Sequence, residues 1–126
     1  MSILLLKPES TNGVLSNLTQ KLFDELNKIT SCTLFDGAAL HISQISEFAN
    51  YINQINPKCI FSFNAAGAEL QFRNQNLFAL YPSLHIGWMV DHPVYHIQRL
   101  ILKNTNRLVL FPSIDTIPFA EDFKLS

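Results

Sequence analysis

One short stretch, Asp91-His92-Pro93-Val94-Tyr95-His96, gathers most of the groups in this chain that could carry protons or grip a polar ligand. An imidazole titrates close to neutrality, so His92 can act as a general base. Asp91 beside it can orient that ring or accept hydrogen bonds from sugar hydroxyls directly. The same pair can be purely architectural, because an Asp just ahead of a Pro is a common helix cap, and His92 would then be merely exposed. Tyr95 and His96 fall in the first turn of the helix that Pro93 opens. The Tyr95 ring can stack on a sugar or a base, or lie along the sheet edge. His92 and His96 are four residues apart, which resembles a metal pair. The accompanying glutamate and a third ligand are lacking, so no metal is expected.

Two other stretches could meet a ligand. Asn64-Ala65-Ala66-Gly67-Ala68 follows an apolar run, and its small residues would let a ligand, or another part of the backbone, come close. Asn64 and Gly67 are therefore candidate substrate contacts, with a tight turn as the alternative. Glu9-Ser10-Thr11-Asn12-Gly13 precedes a helix whose free N–H groups could hold an anion, with Asn12 as a further candidate contact. Its single Gly matches neither the dinucleotide fingerprint nor the P-loop, so no nucleotide cofactor is expected. A GxSxG elbow and paired catalytic carboxylates are absent as well.

These groups need a scaffold, and the periodicity supplies one. Ile3-Leu4-Leu5-Leu6 is a continuous apolar run, the pattern of a strand covered on both faces. Leu15, Leu18, Leu22, Leu26 and Ile29, widened by Phe23, mark an amphipathic helix that Thr11 or Asn12 could cap. A second strand spans 31–35. A second helix, capped by Ser43 or Ser46, buries Ile45, Phe48, Ala49, Ile52 and Ile55 and stops at Asn56-Pro57. A third strand covers 58–63, and residues 77–81 suggest a helical turn. A fourth strand at 85–90, with Trp88 as core, leads to a helix over 94–102 with Ile97, Leu100 and Ile101 inside. A fifth strand covers 107–111. The tail 112–126 carries Ile117, Phe119 and Phe123, which could dock on the domain or on a partner.

Alternating strands and helices predict one Rossmann-like three-layer α/β domain over residues 1–126, built on a five-stranded parallel sheet. The favoured strand order is 3-2-1-4-5, and ligands in such sheets bind beyond the carboxyl ends of the strands, where the order reverses. With that order the reversal lies between the first and fourth strands, where residues 7–13, 64–68 and 91–96 would meet.

Of the 126 residues, 48% are hydrophobic and only 15% charged, with a formal net charge of -1. Charge so lean points to a deeply buried sheet or to surface that a partner covers: a second domain, another protein or a second copy. No general attraction to nucleic acid or anionic membrane is implied. The opening apolar run is too short for a membrane span or signal peptide. Cys32 and Cys59 sit in apolar runs without metal spacing and read as reduced, buried thiols, which suits a cytoplasmic setting.

Trp88-Met89-Val90-Asp91-His92-Pro93-Val94-Tyr95 is an aromatic-bearing strand, then Asp, one residue, Pro, and an aromatic at a helix start. The pattern resembles the amino-terminal half of bacterial CgeB-like, glycosyltransferase-like proteins of the GT-B type. The strand 59–63 with Asn64 and Gly67, and Tyr81-Pro82 ahead of the fourth strand, extend the likeness over about residues 58–113. The resemblance implies an acceptor-binding domain that works with a second, nucleotide-sugar-binding domain, with Asp91 and His92 facing the cleft between them. It implies no cofactor, and the chain alone would lack the donor domain. The competing class is a non-catalytic, receiver-like interaction module. Phosphoryl acceptance in receivers needs an Asp after the third strand, where this chain has Asn64.

Overall fold

The structure, a computed structural model, describes residues 2–7, 13–36, 45–101 and 106–122. Five parallel strands form one sheet: β1 (Ser2–Lys7), β2 (Ser31–Asp36), β3 (Cys59–Phe63), β6 (Leu84–Trp88) and β7 (Arg107–Leu110). A separate two-residue hairpin, β4 (Gln71–Phe72) with β5 (Gln75–Asn76), lies between β3 and β6. The helices are α1 (Val14–Leu26), α2 (Ile45–Ile55), a short α3 (Ile97–Leu100) and α4 (Ile117–Asp122). The domain is thus Rossmann-like α/β, with helices on both faces of a parallel sheet.

The order across the sheet is β2-β1-β3-β6-β7. β3 therefore lies between the first strand and β6, pairing Ile3 with Cys59 on one side and Phe61 with Ile86 on the other. The expected order put this third strand at the outer edge. Burial explains its central place: Ile60, Ser62 and Phe63 are all buried, whereas β2, with exposed Ser31 and Asp36 at its ends, can tolerate the edge. The strand order consequently reverses between β1 and β3, one strand away from the expected position.

Alternation sorts the side chains. Leu4, Leu6, Ile60 and His85 point to one face, where Phe48, Ala49 and Ile52 of α2 and Leu77 and Phe78 of the 3-10 turn Leu77–Leu80 close the main core. A second cluster on that face joins Met89, Leu100, Ala120 and the alanines after β3, with Val109 and Phe119 against it. Among the described residues the opposite face carries α1, which lies over β1 and β2 and reaches β3. Ile29 lies beyond the end of α1 and is exposed, so it does not extend the stripe. The caps expected at Thr11, Asn12 and Ser43 lie outside the described residues, as does Phe123. Ser46 lies inside α2. Cys32 and Cys59 are free, half-buried thiols that flank Ile3 on either side, and burial raises both thiol pKa values.

One buried polar pair interrupts the apolar core. His85, 0% exposed, shares a 2.9 Å hydrogen bond between Nε2 and Ser62 Oγ, and its Nδ1 has no partner among the described residues. Desolvation, with a smaller contribution from the Arg107 charge, lowers its pKa to about 3. The unfolded chain takes up a proton near pH 6.5 that the folded one refuses until about pH 3. Stability is therefore complete above pH 6.5 and falls as pH drops toward 3, by up to ~1.4 kcal/mol per pH unit. Urea unfolding at pH 7 and pH 5 should show a loss on the order of 2 kcal/mol for the native chain. In a Ser62→Ala/His85→Leu double variant that part of the loss should vanish. An unchanged pH slope would rule out a buried neutral imidazole.

Candidate functional site

The carboxyl end of β3 and the chain beyond β6 are joined by one side chain. Asn64 and Ala65 both have left-handed backbone, at φ 55 and 54, and the Ala66 N–H donates to the Phe63 carbonyl at 3.1 Å, closing a tight turn. Asn tolerates that conformation; for Ala it costs about 1–2 kcal/mol. The turn packs closely, because an added Cβ at Gly87 would stand 2.8 Å from the Ala65 Cβ. Gly67 is enclosed in the same way: its Cβ would meet Leu6 at 2.7 Å and the Phe78 ring at 3.0 Å. Asn64 and Gly67 are both buried, so this bend is an internal packing device rather than a surface for a ligand.

The Asn64 amide makes the link. Its Oδ1 accepts from the Val90 N–H at 2.8 Å and the Asp91 N–H at 3.1 Å, and its Nδ2 donates to Asp91 Oδ2 at 2.9 Å. Asp91 Oδ2 also accepts from His96 Nε2 at 3.2 Å. On the other side of that ring, Arg99 Nη1 stands 3.4 Å from His96 Nδ1. A guanidinium can only donate, so Nδ1 is the acceptor and Nε2 carries the proton given to Asp91. Arg99 Nη1 also donates to the Asn64 carbonyl at 3.2 Å. Its Nε lies at ion-pair distance, 3.1 Å, from Glu69 Oε2, though without hydrogen-bond alignment. Arg107 anchors this corner from below by donating to the carbonyls of Arg99 and Leu100 at the end of α3.

Asp91, His92, Tyr95 and His96 all lie at the carboxyl rim of the sheet, as the sequence suggested, and Asn64 and Asp91 are in contact. Asn12 lies outside the described residues. The helix after Pro93 is shorter than expected: a 3-10 turn, Pro93–His96, followed by the four residues of α3. His92, not Asp91, caps it. The imidazole Nδ1 accepts from the Val94 N–H at 3.1 Å, and the ring packs edge-on against Phe119 with centroids 5.0 Å apart. With Nδ1 engaged, neutral His92 carries its proton on Nε2 and is a donor there, not a base. His96 has both nitrogens engaged. Asp91 keeps a side chain 53% exposed, and its Oδ1 makes no hydrogen bond among the described residues. Tyr95 is 74% exposed and touches no sheet edge that would bury it. Among the described residues no group of His, Cys, Asp and Glu could hold a metal ion.

Trp88, expected in the core, is 45% exposed. Its ring stands edge-on to Phe61 and tilted on Phe63, and it lines an apolar hollow of about 440 Å³. Phe63 and Val90 complete the floor, and Leu18, Lys21, Leu22 and Glu25 of α1 form the wall. The hollow reaches Val90, the residue before Asp91. Arg99 and Glu69, which steady the rim, drew no notice in the sequence because nothing links positions thirty residues apart before the fold is known. No protein-family model, curated protein or solved structure matches the chain.

Asn64→Ala should leave two backbone N–H groups and the Asp91 carboxylate without their partner, at a cost of about 2–4 kcal/mol in denaturant unfolding. Asp91→Ala should cost about 1 kcal/mol or less, since its partners regain water. Equal losses from the two would contradict Asn64 as the organiser.

Proposed function

We propose that this domain receives a sugar or glycosylated acceptor at its carboxyl rim, as the acceptor-side domain of a GT-B-type, glycosyltransferase-like protein. The observation that carries the reading is the Asp91–His92 corner. Asp91 offers a solvent-facing carboxylate oxygen whose partner oxygen is fixed by Asn64 and His96, so the acceptor group is held in place before a ligand arrives. His92 adds an N–H donor beside it. An adjacent charged acceptor and neutral donor suit a hydroxyl, which offers one of each. Tyr95, exposed one turn on, presents a ring face that a sugar can stack upon. The likeness over residues 58–113 to CgeB-like proteins supports the same assignment.

The engaged imidazole nitrogens favour binding and orientation over proton abstraction by these residues. In the family that the chain resembles, the nucleotide sugar belongs to a second domain, and transfer would take place across the cleft between the two. A second reading, a non-catalytic interaction module, is favoured by a different observation: the partly exposed apolar side chains of β6 and β7, which no described helix covers.

Binding can be tested by following the rim amides and the His92 ring protons by NMR while titrating mono- and disaccharides and glycosylated acceptors. Asp91→Asn, which keeps the shape, should weaken binding at least tenfold with the circular dichroism spectrum unchanged. Tyr95→Ala should weaken it about threefold to tenfold, on the scale of one lost aromatic contact. Saccharides that leave the rim signals unmoved, or bind Asp91→Asn as well as the native chain, would dismiss the assignment.

A further inference from the structure

The sheet is covered unevenly. α2, the turn Leu77–Leu80, α3 and α4 crowd one face, while on the other, among the described residues, α1 lies over β1 and β2 and reaches β3. What remains on that face is the strip formed by β6 and β7. Register sets Phe63 beside Trp88 and Trp88 beside Leu110, with Ile86 beside Leu108, all on the side of the sheet away from His85. Leu84, Trp88, Val90, Leu108 and Leu110 are between 38% and 48% exposed. Parallel sheets are normally covered on both faces, so this strip is an unfinished layer.

The shape of the unfinished layer limits what fits it. Two neighbouring strands make a floor about 10 Å wide, the diameter of one helix. Five residues of β6 run about 17 Å, the length of three helical turns. α1 rises beside the floor as a wall, showing Leu18 and Leu22 at an i, i+4 spacing toward the hollow. The strip measures only roughly 500 Å² on the scale of side-chain areas, short of the roughly 800 Å² per partner in a standard dimer. A helix meets both limits.

Charge narrows the choice further. Glu25 on the wall is paired with Lys28 at 3.0 Å, whereas Lys21 makes no ion pair or hydrogen bond among the described residues. Among the described residues Lys21 is therefore the wall's charge without an ion-pair partner, and it stands beside an apolar floor.

We propose that this strip seats an amphipathic helix of a partner protein, about three turns long, lying alongside α1 with its apolar face on Trp88, Leu108 and Leu110 and an acidic residue on the flank toward Lys21. The seat is separate from the Asp91 corner, and the proposal does not rest on acceptor binding there.

Trp88 is the one tryptophan in the chain, so its emission reports on the seat directly. Helical peptides with the same Leu stripe and acidic, basic or scrambled flanks are titrated against the 126-residue chain. The acidic-flanked helix should shift Trp88 emission to the blue, saturably, with the basic-flanked and scrambled peptides at least tenfold weaker. Lys21→Glu should reverse the preference between acidic and basic flanks. Leu110→Asp, at a position 40% exposed, should abolish the shift while circular dichroism stays native. Three outcomes would overturn the proposal: no saturable shift with any peptide, a preference that Lys21→Glu leaves unreversed, or a concentration-dependent blue shift with a doubled sedimentation mass in the absence of peptide. The last would assign the strip to a second copy instead.

Discussion

A single amide holds the carboxyl rim of this sheet together. Parallel strands end side by side with their last carbonyls and N–H groups unmatched, and the loops that leave them need other partners. Asn64 supplies these at the point where β3 meets β6. Its backbone N–H continues the ladder to the Trp88 carbonyl at 2.7 Å, while its side chain reaches over to the next two N–H groups and the Asp91 carboxylate. An aspartate at this place would set a second carboxylate against Asp91, and a leucine would leave the Val90 and Asp91 N–H groups without their acceptor. The polar rim is stiff because one residue has the correct number of donors and acceptors, in a left-handed conformation that Asn tolerates.

That stiffness separates the rim from the open strip on the sheet. At the rim, polar groups satisfy one another and leave a single carboxylate oxygen and an N–H turned outward. On the strip, apolar side chains are left partly exposed. The two surfaces meet at Val90, whose N–H is held by Asn64 and whose side chain lines the hollow. An occupant of the strip would thus press on the residue next to Asp91, so the two surfaces share a boundary although one is polar and the other apolar.

The strands and the two long helices were legible because their burial depends on periodicity, which a sequence displays. Phe48, Ala49 and Ile52 fill the core as their spacing requires. Strand order was less so. β1 and β3 are similar apolar runs, and only the exposed ends of β2 indicate which strand lies outermost. Trp88 was misplaced for a related reason: a tryptophan within a strand is covered only if a helix comes to lie on it, and the covering layer here is incomplete. At the site, Asp91 and His92 were found from the end of β6, but their roles depend on tautomer and on partners such as Arg99 that join only in three dimensions. His92 could have been read as a cap from its position before Pro93, since an imidazole nitrogen can accept an N–H as an oxygen does. Asn64 carried a signal too, as an amide at the end of a buried strand followed by four small residues.

The two cysteines illustrate how much the parallel arrangement forbids. They stand on either side of Ile3, two strand spacings or about 9.6 Å apart, well beyond the ~7 Å limit for a disulfide. With β1 between them, no oxidant can join them in the native domain. A chain that forms this crosslink must have lost its first strand from the sheet, which would make an internal disulfide a chemical record of misfolding.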